Sequence, residues 1–268
     1  MEKKIILILG SQRSWSSITM RLLEAHGVNP NIPSFLDPTG HINEISRELR
    51  TLAAINRWVY KHLFHFQEDE TPYRTASRLI RQRTQDGYAT LSEGEEYPAE
   101  LLGYGCDLIN RCTRESLATV AMKFPAMILC WDFWKQVLQQ SREKLPHFIF
   151  GMTVRNPYEV ALSYITRNAT GFQHLSDIYG TILGCYRSQL AVIEEYRHQD
   201  GFTVLPVRAC REHHQADIKR LLETAGVPFS EAVYGELFEP RATHDTGIKQ
   251  HRSVFEAYEQ LFEICSTL

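Results

Sequence analysis

An α/β fold is predicted, with one central parallel sheet flanked by helices and a P-loop-like phosphate-binding loop after the first strand. Three features of the sequence carry that prediction. Short, almost wholly apolar runs alternate with stretches of helical spacing, the first run ends in glycine, and a serine-rich turn leads from that glycine into a helix.

Residues 4–10 hold the run Ile5-Ile6-Leu7-Ile8-Leu9 before Gly10, the pattern of a strand buried on both faces of a parallel sheet. Residues 16–26 then show helical spacing, with Ile18, Leu22 and Leu23 inward and Gly27 closing the helix. Residues 29–40 are rich in Pro and Asn and read as a loop. Residues 44–66 form an amphipathic helix carrying Leu49, Leu52, Ile55 and Val59, and the charged stretch 67–85 reads as a solvated helix, with a lid as the other reading. Further strands are expected at 116–122, 148–154 and 202–207. Further helices are expected at 157–166, with Asn156 as cap and Pro157 at its first position, at 178–196, and at 214–225, ended by Gly226. No repeat and no linker interrupts the chain, so residues 1–268 read as one domain.

A chain of 268 residues can bury enough core to fold without disulfides or metals. Its 43% hydrophobic and 23% charged residues are those of an ordinary soluble domain. A net charge of −3 argues against a general nucleic-acid binder. The cysteines, Cys106, Cys112, Cys130, Cys185, Cys210 and Cys265, show neither zinc nor redox spacing and are expected as reduced thiols. No signal peptide or membrane span is recognisable, so a cytoplasmic location is expected. Nothing in the sequence specifies an oligomeric state.

The turn Gly10-Ser11-Gln12-Arg13-Ser14-Trp15-Ser16-Ser17 is the most informative stretch. Where a buried strand turns into a helix, unpaired N–H groups and the helix dipole favour an anion, and serine and arginine add suitable donors. The Gly-Lys-Ser/Thr ending of an ATP or GTP loop is absent, which disfavours a nucleotide kinase. A serine-rich helix cap with no ligand is the other reading. The stretch from Phe148 to Ser163 then puts Arg155 where a buried strand emerges, followed by Asn156-Pro157 opening a helix. A fixed cation is thereby expected at the sheet's carboxyl edge, where open α/β sheets bind ligands.

With these two stretches the sequence resembles the 3′-phosphoadenosine 5′-phosphosulfate-dependent sulfotransferase family, bacterial type. That family's first loop reads Gly-x-x-Arg-Ser-Gly-Thr-Ser, and Gly10, Arg13, Ser14, Ser16 and Ser17 fall on it. Its later element, Arg-Asn-Pro-x-x-Val-Ala-x-Ser, places Arg155 and Ser163 at the positions that hold the 3′-phosphate. Shorter pieces follow in the same order. Met122-Lys123-Phe124-Pro125-Ala126 is similar to a Lys-Asp-Pro-Arg turn without its Asp and Arg, and residues 37–44 are similar to an Asn-Pro-Lys-Gly-aromatic-x-Glu segment. Residues 218–229, ending Gly-Val-Pro-Phe, are similar to the family's late helix and turn.

The resemblance implies sulfuryl transfer from 3′-phosphoadenosine 5′-phosphosulfate to a hydroxyl or amine of a small molecule or carbohydrate, releasing adenosine 3′,5′-bisphosphate and needing no metal. Arg13 and the loop N–H groups would stabilise charge on the transferred group. Lys123 would do so at the leaving oxygen, although a lysine ending a strand is ordinarily exposed. Glu44 is the first candidate base and His41 the second. His62 with His65, and His213 beside His214, lack partners at metal-ligand spacing and are expected as exposed or capping residues.

Two departures leave a second reading open, a non-catalytic nucleotide- or ligand-binding protein of the same fold. Trp15 replaces a glycine and takes positive φ poorly, so either an ordinary helical backbone or a reshaped loop is expected there, with the indole packed on neighbouring apolar surface or, in the other reading, lining the acceptor or nucleotide pocket. Val207-Arg208 replaces a Tyr-Glu pair, which removes a nucleotide contact.

Overall fold

The computed structural model describes residues 4–11, 13–28, 50–64, 80–115, 119–123, 125–141, 147–166, 175–210, 212–238 and 252–268. Among them four strands form one sheet in the order β2-β1-β3-β4: β1 (Lys4–Gly10), β2 (Val120–Lys123), β3 (His147–Val154) and β4 (Phe202–Arg208). Every pairing is parallel, with Leu7 opposite both Met122 and Phe150, and Gly10 opposite Thr153.

Alternation along β1 divides the interior in two, because successive side chains of a strand point to opposite faces. Ile5, Leu7 and Leu9 enter the larger core with Trp131, Phe150 and Tyr186. Ile6 and Ile8 enter a smaller one with Leu22, Leu23, Ile218 and Leu221. The smaller side is covered by α1 (Ser16–Ala25) and, later in the chain, α7 (His214–Ala225) and α8 (Glu231–Leu237). The larger side is covered by α2 (Arg50–Phe64), α3 (Ala99–Glu115), a 3₁₀ turn (Pro125–Cys130), α4 (Trp131–Gln140), α5 (Pro157–Thr166), α6 (Leu175–Tyr196) and α9 (Arg252–Thr267). Each large aliphatic or aromatic side chain so buried is worth roughly 1.5–3 kcal/mol relative to exposure.

The parallel α/β architecture is as the sequence predicts, and α5 and α7 have the expected limits. Asn156 caps α5 through its side-chain oxygen, which accepts from Tyr158 N at 2.9 Å. Leu52, Ile55 and Val59 of α2 are buried as expected. Residues 29–49 and 65–79 lie outside the described residues, and with them the expected loop, the first part of the long helix with Leu49, and most of the charged stretch.

Helices α3, α4, α8 and α9 are absent from the sequence reading. In α3, Gly103 and Gly105 look like breakers. A Cβ at Gly105 would meet Val137 Cγ2 at 2.6 Å, so this glycine serves the close approach of α3 to α4.

Arg208 is taken up inside the fold. Its backbone N and Nε both donate to Asp217 Oδ2 (2.8 and 2.9 Å) and its Nη2 donates to Oδ1 (2.7 Å), fastening the end of β4 to the first turn of α7. Asp217 is buried, so replacing its charge strands the guanidinium. Asp217→Asn should destabilise the protein by about 3–5 kcal/mol, read as a lowered midpoint in urea unfolding at neutral pH.

Candidate anion-binding site

β1 ends at Gly10 because nothing larger fits. A Cβ there would overlap the Thr153 hydroxyl and come within 2.7 Å of the Thr153 carbonyl oxygen. The chain therefore leaves the sheet in contact with β3, and the loop is stitched to that strand. Ser14 Oγ lies 2.5 Å from Ser11 O and 2.6 Å from Thr153 Oγ1, and the Thr153 hydroxyl donates to Leu9 O at 3.0 Å. Two hydroxyl protons thus serve three contacts. The Ser14 hydroxyl is used inside the fold.

Arg13 and Trp15 both adopt left-handed backbone, with φ of 65° and 66°. For residues other than glycine this costs about 1–2 kcal/mol each. Of the two backbones expected for Trp15, the ordinary helical one is therefore overturned: the tryptophan takes the conformation a glycine would. Tertiary contacts hold it there. Its indole packs edge-on against His214 and Phe238, at 5.3 Å from each ring, and the Arg155 guanidinium lies 5.5 Å over it. The indole does pack on neighbouring apolar surface, as expected.

Trp15 precedes α1 directly and gives it no side-chain cap, and the first turn has no acidic residue. The positive end of the helix is uncompensated on both counts, as suits an anion. Ser16 is buried, Ser17 is half-buried, and the buried Ser11 Oγ has no hydrogen-bond partner among the described residues. Arg13 has its guanidinium 5.9 Å over the Tyr164 ring of α5.

Lys123 ends β2 with only 2% of its surface exposed, and its Nζ donates to Ser17 Oγ at 2.8 Å. The exposed lysine expected at a strand end is thus corrected. The side chain turns inward across the carboxyl edge of the sheet and reaches the first turn of α1.

Arg155 follows β3 directly. Its Nε pairs with Glu159 Oε2 at 2.8 Å, its Nη1 donates to Arg13 O at 2.8 Å, and its own carbonyl accepts from the Tyr186 hydroxyl. Ser163 is half-buried one helical turn beyond Glu159, on the same face of α5. Gly10, Arg13, Ser14, Trp15, Ser16, Ser17, Lys123 and Arg155 are therefore brought together. Glu44 and His41 lie outside the described residues, as does His65.

The sequence reading missed Glu159, Thr153 and His214. Glu159 stands four residues after Arg155 at helical spacing, and Thr153 is the one hydroxyl in β3, so both left a trace. His214, expected to be exposed or capping, is instead fully buried. It stacks on Phe238 with ring centroids 4.7 Å apart, and its Nδ1 lies 2.9 Å from the Tyr234 hydroxyl. His62 is half-buried and bonds Glu96 O, and His213 occupies the N-cap position of α7 without a side-chain bond there.

The chain is similar to the crystal structure of sulfotransferase STF9 from Mycobacterium avium, with a TM-score of 0.50 and 13% identity over 100% of this chain and 77% of that one. A sulfotransferase domain from the curacin biosynthetic pathway aligns with a TM-score of 0.42 and 12% identity over 94% of this chain and 82% of that one. No protein-family model and no curated protein matches the sequence. The first likeness assigns the chain a sulfotransferase-like fold. Among the described residues no helix is long and apolar enough to cross a membrane.

Burial holds the pKa of His214 at about 4, below its ordinary 6.5. As pH falls, the unfolded chain takes up this proton first, so stability is present above about pH 6.5 and is lost progressively down to about pH 4. The loss should be on the order of 3 kcal/mol. His214→Phe, which keeps a ring on Phe238, should flatten this acid limb in urea unfolding measured from neutral to acidic pH. An unchanged slope would remove His214 from the acid response.

Proposed function

We propose that this protein is a sulfotransferase that moves a sulfuryl group from 3′-phosphoadenosine 5′-phosphosulfate to a hydroxyl or amine of a small molecule or carbohydrate. The reading takes residues 1–268 as one domain in the cytoplasm. The observation that carries it is the gathering of Arg13, Lys123 and Arg155 around an uncapped helix N-terminus at the carboxyl edge of the sheet. The sulfotransferase-like fold supports it.

The residues present fit the nucleotide. The buried Ser11 Oγ awaits a donor or acceptor, and the bare end of α1 offers N–H groups to phosphate oxygens. When bound, the nucleotide supplies a sulfuryl group already attached to a good leaving phosphate. Gly10, Ser16, Ser17 and the loop N–H groups would hold its 5′ end, while Arg13 would balance charge on the transferred group. Ser14 and Trp15 would act by shaping that loop. Lys123, held beside Ser17, would neutralise charge on the departing phosphate, and Arg155 with Ser163 would hold the 3′-phosphate. Glu44, or failing it His41, would accept the acceptor's proton.

One observation favours the second reading, a ligand-binding protein of the same fold without turnover. Arg155 and Arg208 already have acidic partners inside the fold.

Adenosine 3′,5′-bisphosphate should raise the melting temperature far more than AMP or ATP, since a ligand bound only by the native state adds RT ln(1 + [L]/Kd), about 2.7 kcal/mol at a hundredfold excess. Equal shifts from all three nucleotides would sink the assignment. Arg13→Gly relieves a left-handed residue and adds chain entropy, so its stability should stay within about 1 kcal/mol of native. Its turnover, followed with labelled donor and a panel of phenols, amines and sugars, should fall by about 10²- to 10³-fold. Tight binding of the bisphosphate with no label transferred to any acceptor would favour the second reading.

A further inference from the structure

A phosphate-cradling loop that needs left-handed backbone ordinarily places glycine there, because glycine enters that region without penalty. Here the two left-handed positions are an arginine and a tryptophan. Something outside the loop must hold them: His214 and Phe238 pack against the Trp15 ring, while β3 and the residue that follows it supply the hydrogen bonds to the loop. Thr153 ties down Ser14, the residue between the two. Arg155 bonds the carbonyl of the first, Arg13, through Nη1 and places its guanidinium 5.5 Å over the ring of the second, Trp15.

Arg155 is itself held in place. Glu159 Oε2 takes its Nε, the Tyr186 hydroxyl donates to its carbonyl oxygen, and its side chain is 14% exposed. A guanidinium has five N–H donors in a fixed plane, so one directed at Glu159 and one at Arg13 O leave others for an anion. A residue serving only as an anion ligand would have no need to grip a loop carbonyl and lie over the loop's tryptophan.

We propose that Arg155 is a positioning residue for the anion loop: it holds Arg13 and Trp15 in the left-handed conformations that glycines would otherwise supply, with Glu159 orienting it. This inference rests on the reading of the loop as an anion site and adds a role to Arg155 distinct from contact with a 3′-phosphate. The residues exchange roles across the site. The β3 arginine builds the 5′ subsite that it does not itself occupy.

The test uses pyrophosphate, which has no 3′-phosphate, alongside adenosine 3′,5′-bisphosphate, on native protein, Arg155→Met and the Arg155→Met/Trp15→Gly pair. Arg155→Met should weaken pyrophosphate binding by at least about tenfold, and adding Trp15→Gly should bring it back to within about threefold of native. Binding of the bisphosphate should stay weak in both variants. Hydrogen exchange on the unliganded protein supplies an independent readout: Arg155→Met should speed exchange in the segment spanning residues 10–18 while the rest of the sheet keeps its protection. If Arg155→Met fails to fold, Glu159→Gln, which keeps the volume and removes the orienting charge, should show the same local increase in smaller measure. Unaltered pyrophosphate affinity in Arg155→Met, failure of glycine to restore it, or unchanged local exchange would each overturn the proposal. Should native protein bind neither probe, the nucleotide reading fails, and the exchange measurement still decides whether Arg155 holds the loop.

Discussion

With no side chain at Gly10, the carboxyl end of β1 lies against Thr153, and that contact sets where the following loop can run. A chain leaving the sheet a few ångströms higher would place Ser14 out of reach of the Thr153 hydroxyl and Arg13 out of reach of Arg155. Because the loop is laid along β3, its left-handed residues meet a strand end already carrying a hydroxyl and a guanidinium. The strain in the loop and the packing of the sheet are thus one problem with one solution. Sites of this kind store unfavourable backbone only when the surroundings over-determine it.

Helix α7 extends the same logic to the smaller core. Its first turn presents His214 to the Trp15 ring, and Asp217 takes the whole charge of Arg208 at the end of β4. One helical turn therefore buttresses the loop after β1 and closes the end of β4. The buried histidine meets the Tyr234 hydroxyl through Nδ1 while its Nε2 has no partner among the described residues, and the buried aspartate is paired with the guanidinium fork of Arg208.

The strands were legible because residues buried on both faces of a parallel sheet leave unbroken apolar runs, and α5 and α7 because Asn156-Pro157 and Gly226 are strong local stop and start signals. Helix α3 was not, since glycines chosen for close packing against Val137 carry the same letters as glycines that end helices. In the site, Arg13 and Arg155 were legible as cations at strand ends. The backbone of Trp15 was hidden because local preference argues against it, and only the distant Arg155, His214 and Phe238 reverse that preference. His214 was hidden because a histidine beside another histidine, among polar neighbours, looks like surface.

The inward course of Lys123 has a consequence for the chemical reactivity of the protein. An amine enclosed at the edge of the sheet and bonded to the first turn of α1 is shielded from acylating reagents that label surface lysines. It becomes reactive when an opening of the fold exposes it. The extent to which Lys123 acquires such a label therefore reports how readily this edge of the sheet opens, without any ligand, spectroscopic probe or substitution being introduced.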